Sequence, residues 1–148
     1  MELFVDFTMA ILQLNKLVQK IKSYEIEKFG LKPVHVMCAY YLYKNPHGIT
    51  AKEIGEMSLE DKAAISRALK TMQDKGYVKY EPDGRNAIIV LTDEGKELAS
   101  YINERADLAV GAGSVDFTDE ERAFFYKSLN AIVGNLKTYY KELIENND

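Results

Sequence analysis

The chain contains little of what marks secreted or membrane-bound proteins. Its 148 residues include one cysteine, Cys38, which cannot form a disulfide within the chain and therefore agrees with a reducing compartment. No apolar run approaches the roughly 20 residues that a membrane-spanning helix requires. The opening stretch, MELFVDFTMA, carries Glu2 and Asp6 in place of the basic flank of a signal peptide. We therefore expect a cytoplasmic protein with no membrane partner.

Motifs for catalysis and for bound cofactors are also missing. The sequence has neither a glycine-rich phosphate loop nor a nucleophile motif, so we expect no enzyme and no cofactor. His35 and Cys38 lie one helical turn apart, a spacing that suits a metal pair or an activated thiol. However, Cys38 falls on an apolar helix face with Val34, Met37 and Tyr41. We predict a buried, inert cysteine and no metal site; a redox switch and a metal site are the alternatives.

A positive net charge is absent as well. The formal charge of −4 argues against a protein that coats nucleic acid indiscriminately, although a local basic surface is compatible with it. Between residues 60 and 85 there are six basic and five acidic side chains. Any binding of nucleic acid by this segment therefore depends on where each charge points.

What the sequence does have is a long apolar seam at each end. Thr118 and Glu121 form a capping box that predicts the start of the last helix, and residues 111–116 (GAGSVD) predict a loop before it. The seams favour a dimer interface, because they exceed what a short middle section covers; packing within one chain is the alternative. With spacings of three and four residues, the seams consist of Phe4, Phe7, Ile11, Leu14, Val18 and Ile21 in the first helix and Phe125, Leu129, Ile132, Leu136, Tyr140 and Leu143 in the last.

Between these helices, start and stop signals predict three shorter helices with tight connections. The first runs from Pro33 to about Lys44, and the second ends near Met57. The third ends at Gly76, a natural left-handed stop. This succession is the outline of a helix-turn-helix unit. The start signals of the second and third helices are the capping box of Thr50 and Glu53 and the looser pair of Ser58 and Asp61.

The third helix has two contrasting faces on a helical wheel of about 100° per residue. Ile65, Leu69 and Met72 fall together and predict a buried stripe. The opposite face is small, polar and positive. Such a face suits the major groove of DNA, since small residues permit close approach and cations reach guanine edges or phosphates; an ordinary solvated face is the alternative. The outward residues are Lys62, Ala63, Ser66, Arg67 and Lys70.

A β-hairpin follows this helix directly. Residues 77–81 (YVKYE) and 87–91 (AIIVL) are rich in β-favouring side chains, and residues 82–85 (PDGR) supply the turn between them. A hairpin behind a recognition helix makes a winged helix-turn-helix. Its wing can lay Arg85 into the adjacent minor groove, where narrow A·T-rich stretches concentrate negative potential.

The segments EIGEMSLEDKAAISRALKTMQDKGYV (53–78) and DGRNAIIVLTDEG (83–95) resemble the MarR-type (multiple antibiotic resistance regulator) transcriptional regulators. They are similar to that family's short helix, recognition helix, Lys-Gly before the wing, Asp-x-Arg wing tip and Leu-Thr-x-x-Gly helix start. The resemblance covers residues from about 10 to 145. It implies a homodimer with a triangular winged-helix body that binds a pseudo-palindromic operator, often with release by a small molecule or an oxidant. The matching wing positions are Asp83, Arg85, Leu91, Thr92 and Gly95.

The resemblance also assigns DNA contacts by position, with two departures from the family. Gly84 stands where many relatives have an arginine, and Ala63 and Ala64 stand where hydroxyl residues are frequent. Both departures indicate modest affinity or a reliance on DNA shape. The DNA-binding residues implied are Lys62, Ala63, Ser66, Arg67 and Lys70 in the major groove, Arg85 in the minor groove, and Asp83, which would hold the wing tip in shape.

We therefore expect one mainly α domain, residues 1–148, with a small β-hairpin wing. The winged helix-turn-helix would span 33–91, and the dimerisation helices 1–29 and 95–148. The expected function is that of a sequence-specific DNA-binding regulator, a repressor like most relatives, acting as a homodimer on a double-stranded operator. A winged-helix module that binds protein instead of DNA is the alternative. Because relatives bind small aromatic effectors beside the dimer helices, Tyr24 and Tyr40 are expected to line such a crevice; core or interface roles are the alternative for them.

Overall fold

Helices dominate the part of the chain that the computed structural model describes, residues 1–81 and 87–146. A short antiparallel hairpin interrupts them, which confirms the predicted fold class. In the described residues, no helix is both long and apolar enough to cross a membrane. The elements in chain order are α1 (Glu2–Ile26), a 3-10 turn (Glu27–Phe29), α2 (Pro33–Lys44), α3 (Ala51–Ser58), α4 (Lys62–Asp74), β1 (Val78–Glu81), β2 (Ile88–Leu91), α5 (Asp93–Gly113) and α6 (Asp119–Glu145).

Most helices begin at the residues whose side chains cap them. Thr50 and Glu53 exchange the two hydrogen bonds of a capping box before α3, at 2.8 and 3.2 Å. Thr118 and Glu121 do the same before α6. Ahead of α4 the cap is Asp61, whose carboxylate accepts a hydrogen bond from the Ala64 amide.

Two predicted boundaries are wrong. Ser58 does not start α4 but is the last residue of α3. The loop predicted at 111–116 is helical over its first three residues, because α5 continues through Gly111 and Gly113. Glycine costs a helix only about 1 kcal/mol relative to alanine, so a long helix tolerates it. The turn before α6 is correspondingly shorter.

The core gathers apolar side chains from the end of α1, from α2, α3 and α4, and from the hairpin and α5. Burial of these side chains removes apolar surface from water and fixes how α4 is rotated about its own axis. As predicted, Ile65, Leu69 and Met72 of α4 are buried. The largest fully buried side chains are Ile26, Leu42, Ile54, Ile65, Leu69, Met72, Ile89 and Cys38.

The hairpin is anchored on both sides. Val78 pairs with Leu91, and Tyr80 pairs with Ile89, so these side chains share the face that packs on the core. Ile89 also exchanges two backbone hydrogen bonds with Ile49, at 2.9 and 3.2 Å, in the connection between α2 and α3. The base of the wing is therefore attached to the helix-turn-helix by backbone as well as side-chain contacts.

The chain divides into two compact units, Met1–Asp107 and Leu108–Asp148, with the boundary inside α5. In the first unit, the six seam side chains of α1 are all exposed, from 38% for Val18 to 71% for Phe4. In the second unit, α6 has no buried residue over its described length. The predicted division into one domain with separate dimerisation helices stays a prediction.

Gly95, in the first turn of α5, offers a stability test. A Cβ built there would lie 1.9 Å from the Tyr77 carbonyl oxygen, which is backbone and cannot turn aside. We expect Gly95→Ala to lower the free energy of unfolding by at least about 1–3 kcal/mol, the usual cost of overpacking. The measurement is urea-induced unfolding followed by circular dichroism.

Gly111→Ala is the matched control, since Gly111 lies in the same helix and a Cβ there meets no atom within 4 Å. This variant should be more stable than wild type by roughly 0.5–1 kcal/mol. Equal effects of the two substitutions would contradict the close approach of Tyr77 to Gly95.

Candidate nucleic-acid interface

The outward face of α4 is the surface that best fits a nucleic acid. Its inward stripe is buried, so the helical period turns the intervening residues to solvent. These outward residues match the set expected from the helical wheel. Contact of this face with DNA stays a prediction. The exposed residues are Lys62, Ala63, Ser66, Arg67 and Lys70.

The three cations on this face are not equivalent. The Lys70 ammonium donates a hydrogen bond to the Asp74 carboxylate one turn later, at 2.8 Å. That hydrogen bond raises the pKa of Lys70, and the carboxylate would compete with a phosphate for the ammonium. Lys62 and Arg67 make no ion pair with any residue in the described ranges. Lys62 and Arg67 are therefore the cations best available to an anionic ligand.

The turn between α3 and α4 sets the direction in which α4 starts. Leu59 occupies it in the left-handed region, with φ of +58°, and its side chain is 87% exposed. A left-handed residue with a side chain costs roughly 1–2 kcal/mol, which the packing of α3 and α4 must offset. The Tyr41 hydroxyl also donates a hydrogen bond to the Met57 carbonyl oxygen at 2.7 Å, which fastens the end of α3 to α2.

A single threonine joins the end of α4 to the wing and to α5. The Thr92 hydroxyl donates a hydrogen bond to the Gly76 carbonyl oxygen and accepts one from the Gly95 amide at 3.1 Å. The Thr92 amide donates to the Tyr77 carbonyl oxygen at 3.0 Å. The Lys-Gly and Leu-Thr-x-x-Gly segments are thus two halves of one junction. The sequence carried both segments, but only the folded chain shows that Thr92 connects them.

The wing tip lies outside the described residues. Asp83 and Arg85, like Gly84 between them, belong to residues 82–86, so their predicted roles are unchanged and untested. The described flanks are paired, Glu81 with Ile88, at the ends of β1 and β2.

The tyrosines proposed to line an effector crevice occupy two helices of the first unit. Tyr24, on α1, is 79% exposed, and Tyr40, on α2, is 38% exposed. The Tyr40 ring packs edge-on against Tyr41, with centroids 5.2 Å apart, and Lys44 lies 5.8 Å from it. Neither Tyr24 nor Tyr40 lines the apolar pocket formed by Leu42, Tyr43, Pro46, Leu91 and Lys96. A crevice shared by these two tyrosines therefore stays a prediction.

A charged cluster that the sequence did not reveal ties α1 to α5. The Glu25 carboxylate accepts hydrogen bonds from Arg105 Nε and from the Tyr101 hydroxyl, each at 2.9 Å. The Arg105 bond, and then the Tyr101 bond, hold the pKa of Glu25 below its usual value. Lys28 completes the cluster, with Nζ 4.0 Å from the centroid of the Tyr101 ring. Its α1 side and its α5 side lie more than 70 positions apart in the sequence, so no local pattern could indicate it.

Cys38 is buried, as predicted. Burial, with a contribution from the charge of Glu60, raises the pKa of its thiol to about 12. A thiolate is the reactive form of cysteine, and almost none is present near neutral pH. No cluster of three or more metal-ligating side chains occurs among the described residues. The geometry does not favour a redox switch at Cys38.

We expect Cys38 to resist thiol reagents in the folded protein. Ellman's reagent should react with it in urea but not in buffer at neutral pH over the same period, since access requires unfolding. The absorbance of the released thionitrobenzoate measures the reaction. Stoichiometric labelling of the native protein within minutes would contradict the buried, protonated thiol.

Comparisons with known proteins agree with this geometry. The sequence model of the MarR family matches residues 29–87 of this chain. YybA, an uncharacterised HTH-type transcriptional regulator of Bacillus subtilis (strain 168), is 22% identical over 135 residues, which are 89% of either chain. A MarR transcriptional regulator of Methanosarcina mazei Go1 is similar in structure, with a TM-score of 0.81, 25% identity and coverage of 90% of each chain.

A third similar protein was solved together with DNA. It is a putative MarR family transcriptional regulator from Listeria monocytogenes in complex with a 26mer, with a TM-score of 0.80 and 17% identity. The alignment covers 87% of each chain. At this identity the likeness concerns the fold, and the DNA belongs to the Listeria protein.

Proposed function

We propose that the chain, whose residues 29–87 match the MarR family, is a MarR-type sequence-specific DNA-binding transcriptional repressor that acts as a homodimer on a pseudo-palindromic operator. The observation that carries the proposal is the outward face of α4, which is small, polar and cationic. A cytoplasmic location is part of this proposal.

The face of α4 suits the major groove for steric and electrostatic reasons. Ala63 and Ser66 are short enough to let the helix backbone approach the base edges. Arg67 has the reach and the planar donor fork to bind a guanine edge, and Lys62 suits a phosphate. Arg85, at the wing tip, is proposed to enter the adjacent minor groove, with Asp83 holding the tip in shape. Lys70 would make a further cationic contact with the DNA once its ammonium leaves Asp74.

Dimerisation supplies the symmetry of the operator. The α1 seam runs along a 25-residue helix, about 37 Å long at about 1.5 Å per residue, and all six of its side chains are exposed. Apolar surface of this extent is unusual on a monomer, so a second copy of the chain is the proposed cover. Two copies related by a two-fold axis would read half-sites about one helical turn apart, near 34 Å.

Release by a small aromatic effector is part of the proposal. Tyr24 and Tyr40 have exposed rings on helices of the first unit, and such rings can stack on an aromatic ligand. Repression would then be by occupancy of the promoter, and the effector would lower the population of the DNA-binding conformation.

Binding to a mixed-sequence 30-base-pair duplex (about three turns) at several salt concentrations tests the DNA-binding role. If a dimer neutralises about six phosphates, the logarithm of the affinity should fall with the logarithm of the salt concentration with a slope of roughly −5. Lys62→Ala removes one phosphate contact from each chain, so its slope should be flatter by about 2. Fluorescence anisotropy of a labelled duplex gives both slopes.

Lys127→Ala is the control, because Lys127 is an exposed cation on α6, away from α4 in sequence and on another helix. Its slope should equal that of wild type. A flat salt response of the wild-type protein would refute DNA binding. A slope that Lys62→Ala leaves unchanged would exclude contact of α4 with the phosphates, and no DNA binding at all would favour the protein-binding module.

A second prediction concerns the dimer. Leu14→Gln places a polar amide in the α1 seam. Each chain then loses the free energy gained by burying Leu14 against the partner, about 1.5–3 kcal/mol. The dimer dissociation constant should rise at least roughly tenfold, as measured by sedimentation equilibrium. Lys16→Gln introduces the same side chain on the opposite side of α1 and should leave the constant unchanged. An unaltered dimer in Leu14→Gln would exclude this seam as the interface.

A further inference from the structure

The first turn of α2 is capped by a histidine. The Lys32 amide donates a hydrogen bond to His35 Nδ1 at 2.8 Å, and the His35 amide donates back to the Lys32 carbonyl oxygen at 2.9 Å. His35 thus fills the third helical position, where a capping box normally has glutamate or glutamine. Unlike those amide and carboxylate caps, an imidazole nitrogen loses its acceptor function when it takes up a proton near neutral pH.

The cap holds the imidazole in one neutral form. Because Nδ1 accepts the Lys32 amide, the proton of the neutral ring belongs on Nε2. Nε2 is buried and has no hydrogen-bond partner among the described residues. The whole residue is only 6% exposed, so water cannot take the place of a partner without opening the site. A protonated ring would carry a second N–H and a full charge into this environment.

The charges that act on His35 are both positive. Lys32 belongs to the connection before α2, and Lys75 follows α4; the Lys75 ammonium reaches the turn at Gly30, where an added Cβ would lie 3.0 Å from it. Among the described residues, no charged group on any other element of this unit's core acts on His35. The ring also sits at the positive end of the α2 dipole, which repels a cation.

One contact works in the opposite direction. A protonated Nδ1 could donate to the Lys32 carbonyl oxygen, 3.2 Å away. That bond would replace the shorter one from the Lys32 amide and leave this amide without its acceptor. Burial remains the larger effect, and together with the two lysines it places the pKa of His35 below the ordinary value of 6.5.

We infer that His35 is an acid-sensitive cap of the winged-helix unit: its neutral imidazole holds the start of α2, and protonation breaks that hold. The unfolded chain takes up the proton near pH 6.5, whereas the folded chain does so only at a lower pH. The stabilisation that the cap provides is therefore complete above about pH 6.5. It is lost progressively as the pH falls through the pKa of His35 in the folded state. α2 packs against α4, so loosening α2 removes support from the recognition helix.

This inference rests on the proposed function only in its last consequence, which is weaker DNA binding in acid. Acidification would shift the population toward molecules whose α4 is less well held. The protein would thus respond to protons as well as to any small-molecule effector. The cap itself can be tested without DNA.

The stability arm compares wild type with His35→Gln and His47→Gln by urea unfolding at about pH 7.5 and about pH 5.5. Glutamine at position 35 keeps an acceptor for the Lys32 amide but does not titrate, so the urea midpoint should fall less on acidification than it does in wild type. The chain has two histidines, and His47 is exposed, so His47→Gln should keep the wild-type loss. Equal losses in wild type and His35→Gln would overturn the inference.

A second arm does not depend on the folding of a position-35 variant. In the His47→Gln protein, the remaining imidazole signal in proton NMR belongs to His35. It should titrate below the ordinary value of 6.5, together with changes in the amide signals at the start of α2. Titration at or above that value would overturn the inference.

The DNA arm separates the two levels of the proposal. Affinity for the mixed-sequence duplex should fall between the two pH values in wild type more than in His35→Gln. If the stability and NMR arms agree with the cap but no DNA binds at either pH, the proposed function fails while the acid-sensitive cap stands. If DNA binds equally well at both pH values in wild type, the link from the cap to the recognition helix is wrong.

Discussion

The burial of one stripe of α4 is the constraint on which the rest of the winged-helix unit depends. Ile65, Leu69 and Met72 are excluded from water, and the helical period then leaves no choice about which residues face outward. The same stripe determines where α2, α3 and the hairpin can pack. The outward face of short and cationic side chains, which is proposed to contact DNA, is thus a consequence of core packing on the other side of the helix. Changing the stripe would rotate α4 and scatter that surface.

The Thr92 junction converts this packing into a fixed wing. Thr92 bonds to the carbonyl of Gly76, two residues after the end of α4, and to the amide of Gly95, and Gly95 in turn admits the Tyr77 backbone at a distance that no side chain allows. Ile49, in the connection between α2 and α3, pairs with Ile89 on the other side, so the wing base is attached to the helix-turn-helix at two places. This attachment suits the proposed reading of two adjacent grooves, because both contacts would have to engage in one register.

Features determined by neighbouring residues could be predicted from the sequence. The capping boxes at Thr50 and Thr118 and the buried stripe of α4 each follow from a spacing of three or four residues. The loop at 111–116 was placed wrongly because glycine favours a loop only weakly once a helix already has tertiary support. Ser58 was misassigned because Asp61, three residues later, is the better cap.

Contacts between distant parts of the chain could not be predicted in the same way. Glu25 meets Arg105 across 80 positions, and the ring of Tyr101 takes part in the same cluster. The cap formed by His35 is different, because its partner Lys32 is only three residues away. A capping box normally has glutamate or glutamine at this position, so the spacing alone does not predict that the imidazole accepts the Lys32 amide. The Glu25 cluster depends on partners that only the fold brings together, and no local pattern records it.

Selection of bound duplexes from a random pool tests the central claim, that paired α4 helices read DNA sequence, most directly. The account predicts enrichment of a two-fold symmetric sequence whose half-sites lie about one helical turn apart, roughly 10 base pairs. Asymmetric sites would contradict the paired reading, and a pool that shows no enriched sequence after repeated rounds would contradict sequence-specific binding altogether.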